Sequence, residues 1–339
     1  MNIKLAVAFF LSLSLLWGLP AEKKSGKKTE DDQTIRVNVE MVSLPVVVST
    51  RDGKRITDLQ QQDFQVFEDG MRQEIAGFAA TDEPLEIVLL LDTSGSTELQ
   101  LARIQNAAID FVNQLHPDDE VAVISFAEDV KLQQDFTIDR DRNEYGIKKT
   151  RPGGCTVEYE AVWLALEEVL KPIKERKALV LFTDGVDTCS RKANERETLE
   201  LAKETQATIY CVYYNTEYDQ YRTRTRTTGG YPVPQFPPVI VNPLPPITGG
   251  PGSTTPEYEA GRKYLSKLAE YSGGLVFDGM EDLSYAFAQV AKELASQYSI
   301  GYYSTNNKHD GKFRKVEIKM NKPDLRARTK KGYFAKKDK

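Results

Sequence analysis

The sequence is poor in the residues that most enzymes use for proton transfer. Its 339 residues include only two histidines, His116 in a His-Pro-Asp-Asp turn and His309 in a polar turn. Both turns are typical of solvent-exposed loops. A Ser-His-Asp or Cys-His centre would have to use one of them, and the pattern Gly-x-Ser-x-Gly is absent. The sequence therefore favours binding over catalysis, and we expect no enzymatic activity.

An excess of positive charge is also missing. The chain has 45 lysines and arginines against 50 aspartates and glutamates, which gives a formal net charge of −5 at pH 7. Proteins that bind nucleic acid carry a basic patch or stripe, and this composition gives no such footprint. We therefore expect no nucleic-acid partner.

Long hydrophobic runs are absent beyond the start of the chain. The first residues have the layout of an export signal, with Lys4, an apolar core from Leu5 to Trp17 and a cleavage site at Leu19-Pro20-Ala21. This core is shorter than the roughly 20 residues of a membrane span. We predict a signal peptide over 1–21, with an uncleaved anchor as the alternative. The expected location is extracytoplasmic, either periplasmic or secreted, with no membrane span after cleavage.

Apolar periodicity divides the remaining chain into β-rich ends and an α/β centre. A charged, flexible lead-in at 22–33 precedes strands that alternate apolar and polar residues over 34–80, with an Asp69-Gly70 hairpin turn. Strands and helices then alternate over 85–297, which predicts a doubly wound, mostly parallel sheet. Alternating strands return over 298–335. The expected fold is α/β, with this sheet inserted into or flanked by a small β-sandwich made from both ends.

One segment interrupts the α/β pattern. Residues 215–256 contain Arg-Thr repeats followed by many prolines and glycines, and they show no apolar periodicity. This composition favours a solvated, mobile insertion. A partner-binding arm is the alternative, because Pro237-Pro238 and Pro245-Pro246 could present polyproline turns.

The most informative stretch is a buried strand that ends in oxygen-bearing side chains. Ile87 to Leu91 is continuously apolar, which suits a strand covered on both faces. Asp92, Ser94 and Ser96 follow at alternate positions, where ligands bind in open α/β sheets. Thr97 to Gln100 has the spacing of a capping box that opens a helix.

Two further stretches complete a pattern. Thr156 follows Gly153 and Gly154 in a turn before a helix, and Asp184 ends a second apolar strand. Carboxylates and small hydroxyls are hard oxygen donors, which suit Mg²⁺ or Mn²⁺ rather than zinc.

In this order the five residues resemble the metal-ion-dependent adhesion site of von Willebrand factor A domains, in which Asp-x-Ser-x-Ser, a distal Thr and a distal Asp surround one cation. The matching residues are Asp92, Ser94, Ser96, Thr156 and Asp184. The chain departs from the usual motif at Cys155, which stands between the glycines and the threonine.

The whole chain after the lead-in is similar to bacterial VWFA-related domain proteins. The similarity includes Asp63-Phe-x-Val-x-Glu-Asp-Gly70 before the site, Gln297-Tyr-x-x-Gly-Tyr-Tyr303 after it, and a final Lys331-Gly-Tyr-Phe334. The resemblance implies a binding module whose cation engages an Asp or Glu of a partner protein. The alternatives are a structural scaffold with an idle metal site and a metal-assisted hydrolase.

Residues near the five carry further expectations. We interpret Glu158 and Glu160 as helix-start charges, and Glu128 and Asp187 as surface charges. If the Thr156 and Asp184 loops meet on one cation, Cys155 and Cys189 come close, and we predict a disulfide between them. Cys211, within an apolar strand, should remain a buried thiol. Three unpaired thiols are the alternative.

Overall fold

The structure is a computed structural model that describes residues 41–81, 83–214, 240–241, 256–279 and 282–337. Four parts of the sequence lie outside these ranges: the predicted signal peptide, the lead-in, residues 34–40 and most of the 215–256 segment. Within them, no helix combines the length and the apolar character that a membrane crossing requires.

The centre of the fold is a seven-stranded sheet in the order β10-β11-β9-β8-β5-β6-β7. Its members, numbered after the four strands that precede them in the chain, are β5 Glu86–Asp92, β6 Glu120–Phe126, β7 Val130–Gln134, β8 Lys177–Thr183, β9 Thr208–Tyr213, β10 Ile240–Val241 and β11 Val276–Asp278. The five inner strands run parallel, and the edge strands β7 and β10 run antiparallel to their neighbours.

Helices cover both faces of this sheet. They are α1 Leu101–Gln114, α2 Arg140–Lys149, α3 Glu158–Leu164 with a π-helical continuation Ala165–Leu170, α4 Glu195–Glu204, α5 Pro256–Ser272 and α6 Leu283–Leu294. Alternate residues of β5 enter opposite cores: Leu89 packs with α1 and α6, whereas Leu90 packs with α3, α4 and α5. The continuous apolar run of β5 is therefore explained by burial on both faces.

Strands from the two ends of the chain form two antiparallel sheets. They are β1 Met41–Thr50, β2 Phe64–Glu68, β3 Met71–Gln73, β4 Ile75–Ala79, β12 Gln297–Tyr303, β13 Phe313–Met320, β14 Leu325–Arg328 and β15 Gly332–Phe334. The sheet orders are β14-β1-β12-β4 and β15-β13-β2-β3, so each sheet mixes both ends. Their inner side chains share one apolar core. The predicted fold class is therefore confirmed.

The Asp69-Gly70 turn joins β2 and β3 as the sequence predicts. Both residues adopt positive φ, 48° and 84°, as a two-residue hairpin turn requires, and Glu68 pairs with Met71.

One local prediction is wrong, and one helix is missing from the sequence prediction. The expected capping box fails because a 3₁₀ turn, Gly95–Gln100, already precedes α1, and the Thr97 hydroxyl donates to the Ser94 carbonyl instead. The missing helix is α2. It shows no apolar periodicity, because Ile147 is its one buried large apolar residue. Its start is nevertheless marked by Asp139, whose Oδ1 accepts from the amides of Asp141 and Arg142.

A buried ion-pair cluster connects the sandwich to the α/β part. Glu293 of α6 is 4% exposed and accepts from Arg55 Nη2 at 2.7 Å and from the guanidinium of Arg328 in β14. Nearby, the buried Lys330 ammonium donates to the Thr205 carbonyl at 2.8 Å, just beyond α4. The amino- and carboxyl-terminal strands are thus both held against helices of the central sheet.

We expect Glu293→Gln to destabilise the protein by about 3 kcal/mol, because two partly buried guanidinium groups lose their counter-charge. Denaturant unfolding would measure this change. Glu144→Gln is a matched control, since Glu144 pairs with Lys148 on an exposed helix surface and should cost no more than about 0.5 kcal/mol. Equal stability of the two variants would mean that the Glu293 cluster does not hold the two parts together.

Candidate metal centre

Asp92 lies at the carboxyl edge of the central sheet, completely buried at the end of β5. Its Oδ1 accepts from the Ser94 amide and its Oδ2 from the Thr183 hydroxyl, both at 2.9 Å. Thr183 ends the neighbouring strand β8, so the parallel register of β5 and β8 creates this contact. Burial raises the pKa of Asp92, and the hydrogen bonds from Ser94 and Thr183 oppose that rise.

Three of the predicted oxygen donors converge next to Asp92. The hydroxyl oxygens of Ser94 and Ser96 lie 3.1 Å apart, and Ser96 Oγ lies 3.5 Å from Asp184 Oδ2. Adjacent oxygens of an octahedral Mg²⁺ shell, each about 2.1 Å from the ion, lie about 3 Å apart. The observed spacing therefore fits a small, hard divalent cation.

Thr156 faces the same open cleft, which has a volume of about 430 Å³. Ser94, Ser96 and Asp184 also line it, and α5 contributes Glu257 and Tyr258 to its rim. The structure thus brings four of the five predicted residues to one cleft, with Asp92 hydrogen bonded beneath them.

The glycines before Thr156 permit close packing of the loops. Gly153 N donates to the Thr93 carbonyl, and Gly95 N donates to the Gly154 carbonyl, both at 2.8 Å. A Cβ on Gly153 would collide with Ala127 and Glu128. The Glu128 carboxylate accepts from Gly154 N, and this bond lowers the pKa of Glu128. Glu128 is exposed as predicted, yet it also fixes the loop.

The Thr156 loop and the Asp184 loop are joined by backbone contacts. Thr156 N donates to the Thr188 hydroxyl at 2.8 Å, and the Thr156 carbonyl accepts from the amides of Thr188 and Cys189. Asp187, interpreted from sequence as a surface charge, instead accepts from the Tyr159 amide at 3.1 Å and is half-buried. It fastens the start of α3 to the loop that follows Asp184.

A disulfide reinforces this connection. Cys155 and Cys189 are bonded, with their Cα atoms 6.1 Å apart, so the predicted pairing is confirmed. Cys211 is a free and fully buried thiol, as expected, and burial raises its pKa well above the usual value.

Glu158 differs most from its predicted role. It does begin α3, but its side chain is fully buried rather than a solvated helix-start charge. Burial raises the pKa of Glu158 well above the usual value, and the nearby carboxylates of Asp92, Asp184 and Asp187 raise it further. Glu160 follows the prediction more closely, being partly exposed, and it accepts from the amides of Arg191 and Lys192.

The chemistry of the donor set indicates which cation fits. Within the described ranges, no group of three or more His, Cys, Asp or Glu side chains is arranged to hold a metal. The cleft offers serine and threonine hydroxyls with the Asp184 carboxylate, and the Asp92 carboxylate lies beneath them. All of these are hard oxygen donors. Such a set suits Mg²⁺ or Mn²⁺.

Comparison with known proteins identifies the domain at the centre of the chain. Residues 87–186 match the model of the von Willebrand factor type A domain, and this range includes all five site residues. The resemblance to that domain is thus confirmed for the centre of the chain. The match indicates a protein-interaction or adhesion module. None of the curated proteins matches the sequence.

Several solved structures are similar to part of the chain. The conserved hypothetical protein BatB from Bacteroides thetaiotaomicron is 17% identical, covers 62% of this chain and 97% of its own, and gives a TM-score of 0.43. A von Willebrand factor type A protein from Catenulispora acidiphila is 14% identical, with 82% and 65% covered and a TM-score of 0.45.

A third structure is proximal thread matrix protein 1 from the mussel byssus, described with a zinc-occupied metal-ion-dependent adhesion site. It is 18% identical, with 66% of this chain and 48% of its own covered, and gives a TM-score of 0.42. This chain therefore spans about half of the mussel protein. At such identities the likeness concerns the fold alone.

We expect replacement of both Cys155 and Cys189 by serine to destabilise the protein by about 3 to 4 kcal/mol, because the bridge closes a loop with a sequence separation of 34. Denaturant unfolding with and without a thiol reductant would measure the effect. Reductant should lower the stability of the wild type to that of the double variant and leave the variant unchanged. A wild type insensitive to full reduction would contradict this contribution.

Proposed function

We propose that this chain is a divalent-metal-dependent protein-binding module of the adhesion type. Asp92, Ser94, Ser96, Thr156 and Asp184 would hold Mg²⁺ or Mn²⁺, and the ligand would be an Asp or Glu side chain of a partner protein. The observation that carries the proposal is the 3.1 Å spacing of the Ser94 and Ser96 hydroxyls, next to the Asp184 carboxylate, in an open cleft.

Each residue has a distinct role in this proposal. Asp92 would supply the principal negative charge, held in place by the Ser94 amide and the Thr183 hydroxyl. The hydroxyls of Ser94, Ser96 and Thr156 would contribute neutral oxygens, and Asp184 would act through water. The cation, when bound, supplies a positive centre that attracts a partner's carboxylate. The role of the chain is to bind rather than to turn over a substrate.

The surroundings of the cleft support a protein ligand. The cleft is open to solvent, and its rim is formed by Glu257 and Tyr258 together with the exposed Cys155. A carboxylate side chain can enter such an opening while the backbone that carries it contacts the rim. Partner specificity would then come from contacts around the cleft.

The disulfide supports the proposed location. Bonds of this kind persist in oxidising compartments and are rare in the cytosol, so the Cys155–Cys189 bridge agrees with an exported protein. Together with the apolar amino-terminal segment, it supports a periplasmic or secreted location.

We expect the wild-type protein to bind Mn²⁺. Asp92→Asn should lose Mn²⁺ affinity on the order of 100-fold or more, because loss of a residue that only supports a metal ligand already costs about 10–100-fold. Asparagine keeps the acceptor for the Ser94 amide but removes the charge. Calorimetry would measure the Mn²⁺ affinity of the wild type and of the variant. Asp129→Asn is the control, because Asp129 is 71% exposed and lies outside the cleft lining.

The outcome of this titration also separates the alternatives. Undetectable Mn²⁺ binding by folded wild type would favour a structural scaffold with an idle site. A metal-assisted hydrolase would need a base near the cation. His116 lies in the loop before β6, at the sheet edge opposite Asp92, so it is poorly placed for that task.

Partner binding should require both the cation and an acidic ligand residue. We expect capture of partner from cell-envelope extract in Mg²⁺, loss of capture in EDTA, and loss of capture by Asp184→Asn but not by Asp129→Asn. Replacing acidic residues of the captured partner one at a time should identify a single Asp or Glu whose loss abolishes binding. Capture that persists in EDTA would place the binding surface elsewhere.

A further inference from the structure

The side chain of Glu158 is a buried carboxyl group for which the proposed ligand set provides no role. It is 0% exposed, and neither Oε1 nor Oε2 has a hydrogen-bond partner among the described residues. Among the described residues, Glu158 is the one carboxyl group whose two oxygens are both buried without a hydrogen-bond partner. A buried carboxyl group without hydrogen bonds is costly whether it is ionised or protonated, so its presence calls for an explanation.

We propose that Glu158 is a further carboxylate of the cation site, acting from the core side as a counter-charge rather than as one of the convergent ligands. The inference rests on the proposed metal binding by Asp92, Ser94, Ser96, Thr156 and Asp184. It assigns to the site a residue that lies outside the Asp-x-Ser-x-Ser, Thr and Asp pattern.

The position of Glu158 is fixed by its neighbours in sequence. Thr156 N donates to the Thr188 hydroxyl, Val157 N donates to the Ala127 carbonyl at 2.9 Å, and Tyr159 N donates to Asp187 Oδ2. These bonds anchor the backbone on both sides of Glu158. Glu158 is therefore held two residues beyond Thr156, which itself faces the cleft.

The charges around Glu158 are all of one sign. Asp92, Asp184 and Asp187 act on it electrostatically, and two of these belong to the proposed ligand set. The core on this side of the sheet is otherwise apolar. Two of its members, Cys211 and Tyr264, interact electrostatically with Glu158. A divalent cation beside Asp92 and Asp184 would offset part of this negative charge and so lower the cost of a charged Glu158.

This arrangement has a consequence for partner recognition. Asp92 and Asp184 formally neutralise a dication, and a third carboxylate leaves the loaded site with a net charge of −1. Glu158 would therefore strengthen retention of the cation and weaken its attraction for a partner's carboxylate. Affinity for the partner would then depend more on contacts with the rim of the cleft.

The competing explanation is that Glu158 remains a neutral acid in the core and takes no part in metal binding. The two explanations differ in how Glu158→Gln behaves with and without metal. Glutamine matches the neutral acid in shape, so the variant should fold in either case. Glu160→Gln is the matched control, since it lies two residues away on the same helix and keeps an acceptor for Arg191 and Lys192.

The experiment compares full-length wild type, Glu158→Gln, Glu158→Asp and Glu160→Gln by Mn²⁺ calorimetry and by denaturant unfolding in EDTA and in saturating Mn²⁺. We expect Glu158→Gln to bind Mn²⁺ about 10- to 100-fold more weakly, as for loss of an outer partner of a metal site. Its metal-free stability should equal or exceed that of the wild type. Glu158→Asp should recover part of the affinity, and Glu160→Gln should bind Mn²⁺ as the wild type does.

Three results would overturn the inference, and they are distinguishable. Wild-type Mn²⁺ affinity in Glu158→Gln would show that Glu158 is a neutral core acid while the proposed function stands. Weaker binding accompanied by an equal loss of metal-free stability would indicate a purely structural role. Absence of Mn²⁺ binding by the wild type would overturn the proposed function and this inference together. Glu158→Leu, measured in the same way, tests the core explanation with an apolar residue of similar size.

Discussion

The buried carboxylate of Asp92 is the constraint on which the site and its sheet both depend. A fully buried charge is costly unless hydrogen bonds compensate it. Here the compensation comes from the Ser94 amide in the same turn and from the Thr183 hydroxyl on the next strand. The second bond exists only because β5 and β8 are adjacent, parallel and in register. Strand pairing and assembly of the site are therefore one structural requirement.

The loops above Asp92 depend on one another in the same way. The Gly153-Gly154 turn bonds to the backbone of Thr93 and Gly95, and it is held from outside by Glu128. The Thr156 backbone bonds to the loop after Asp184, which the disulfide also links. The loops around the cleft are thus linked to one another by hydrogen bonds and by one disulfide.

The sequence predicts the parts of this arrangement that repeat a local pattern. The apolar runs of β5 and β8 identify buried strands, and the residues that follow them indicate a site at the sheet edge, because parallel strands end at one edge. The alternating strands at both ends predict the mixed antiparallel sheets. The disulfide is predictable because the loops that carry Cys155 and Cys189 meet.

Other features depend on contacts that no local pattern records. Glu158 stands at a helix start, where acidic residues are usually solvated, and only the packing of α3 against the sheet buries it. Asp187 resembles a surface charge until the Tyr159 amide is seen to donate to it. Helix α2 has too little apolar character to be recognised, although the Asp139 cap was available as a signal.

The contacts around the cleft also determine which parts of it can adjust to a partner. The Thr156 and Asp184 loops are joined by two backbone–backbone hydrogen bonds, by one bond from Thr156 N to the Thr188 hydroxyl, and by a disulfide, so they must move together. Helix α5 is fixed to the same body, because the backbones of Gly185 and Gly261 approach so closely that a Cβ on Gly261 would clash with the Gly185 carbonyl. Glu257 and Tyr258 therefore hold a set distance from Asp184. By contrast, the Ser94–Ser96 turn is held by hydrogen bonds alone, among them Gly95 N to the Gly154 carbonyl and Ser96 Oγ to Asp184 Oδ2. It leads into a 3₁₀ turn, a conformation with weaker hydrogen bonding than an α-helix. The turn that carries the two serines therefore has more freedom to adjust to a ligand than the disulfide-linked loops opposite it.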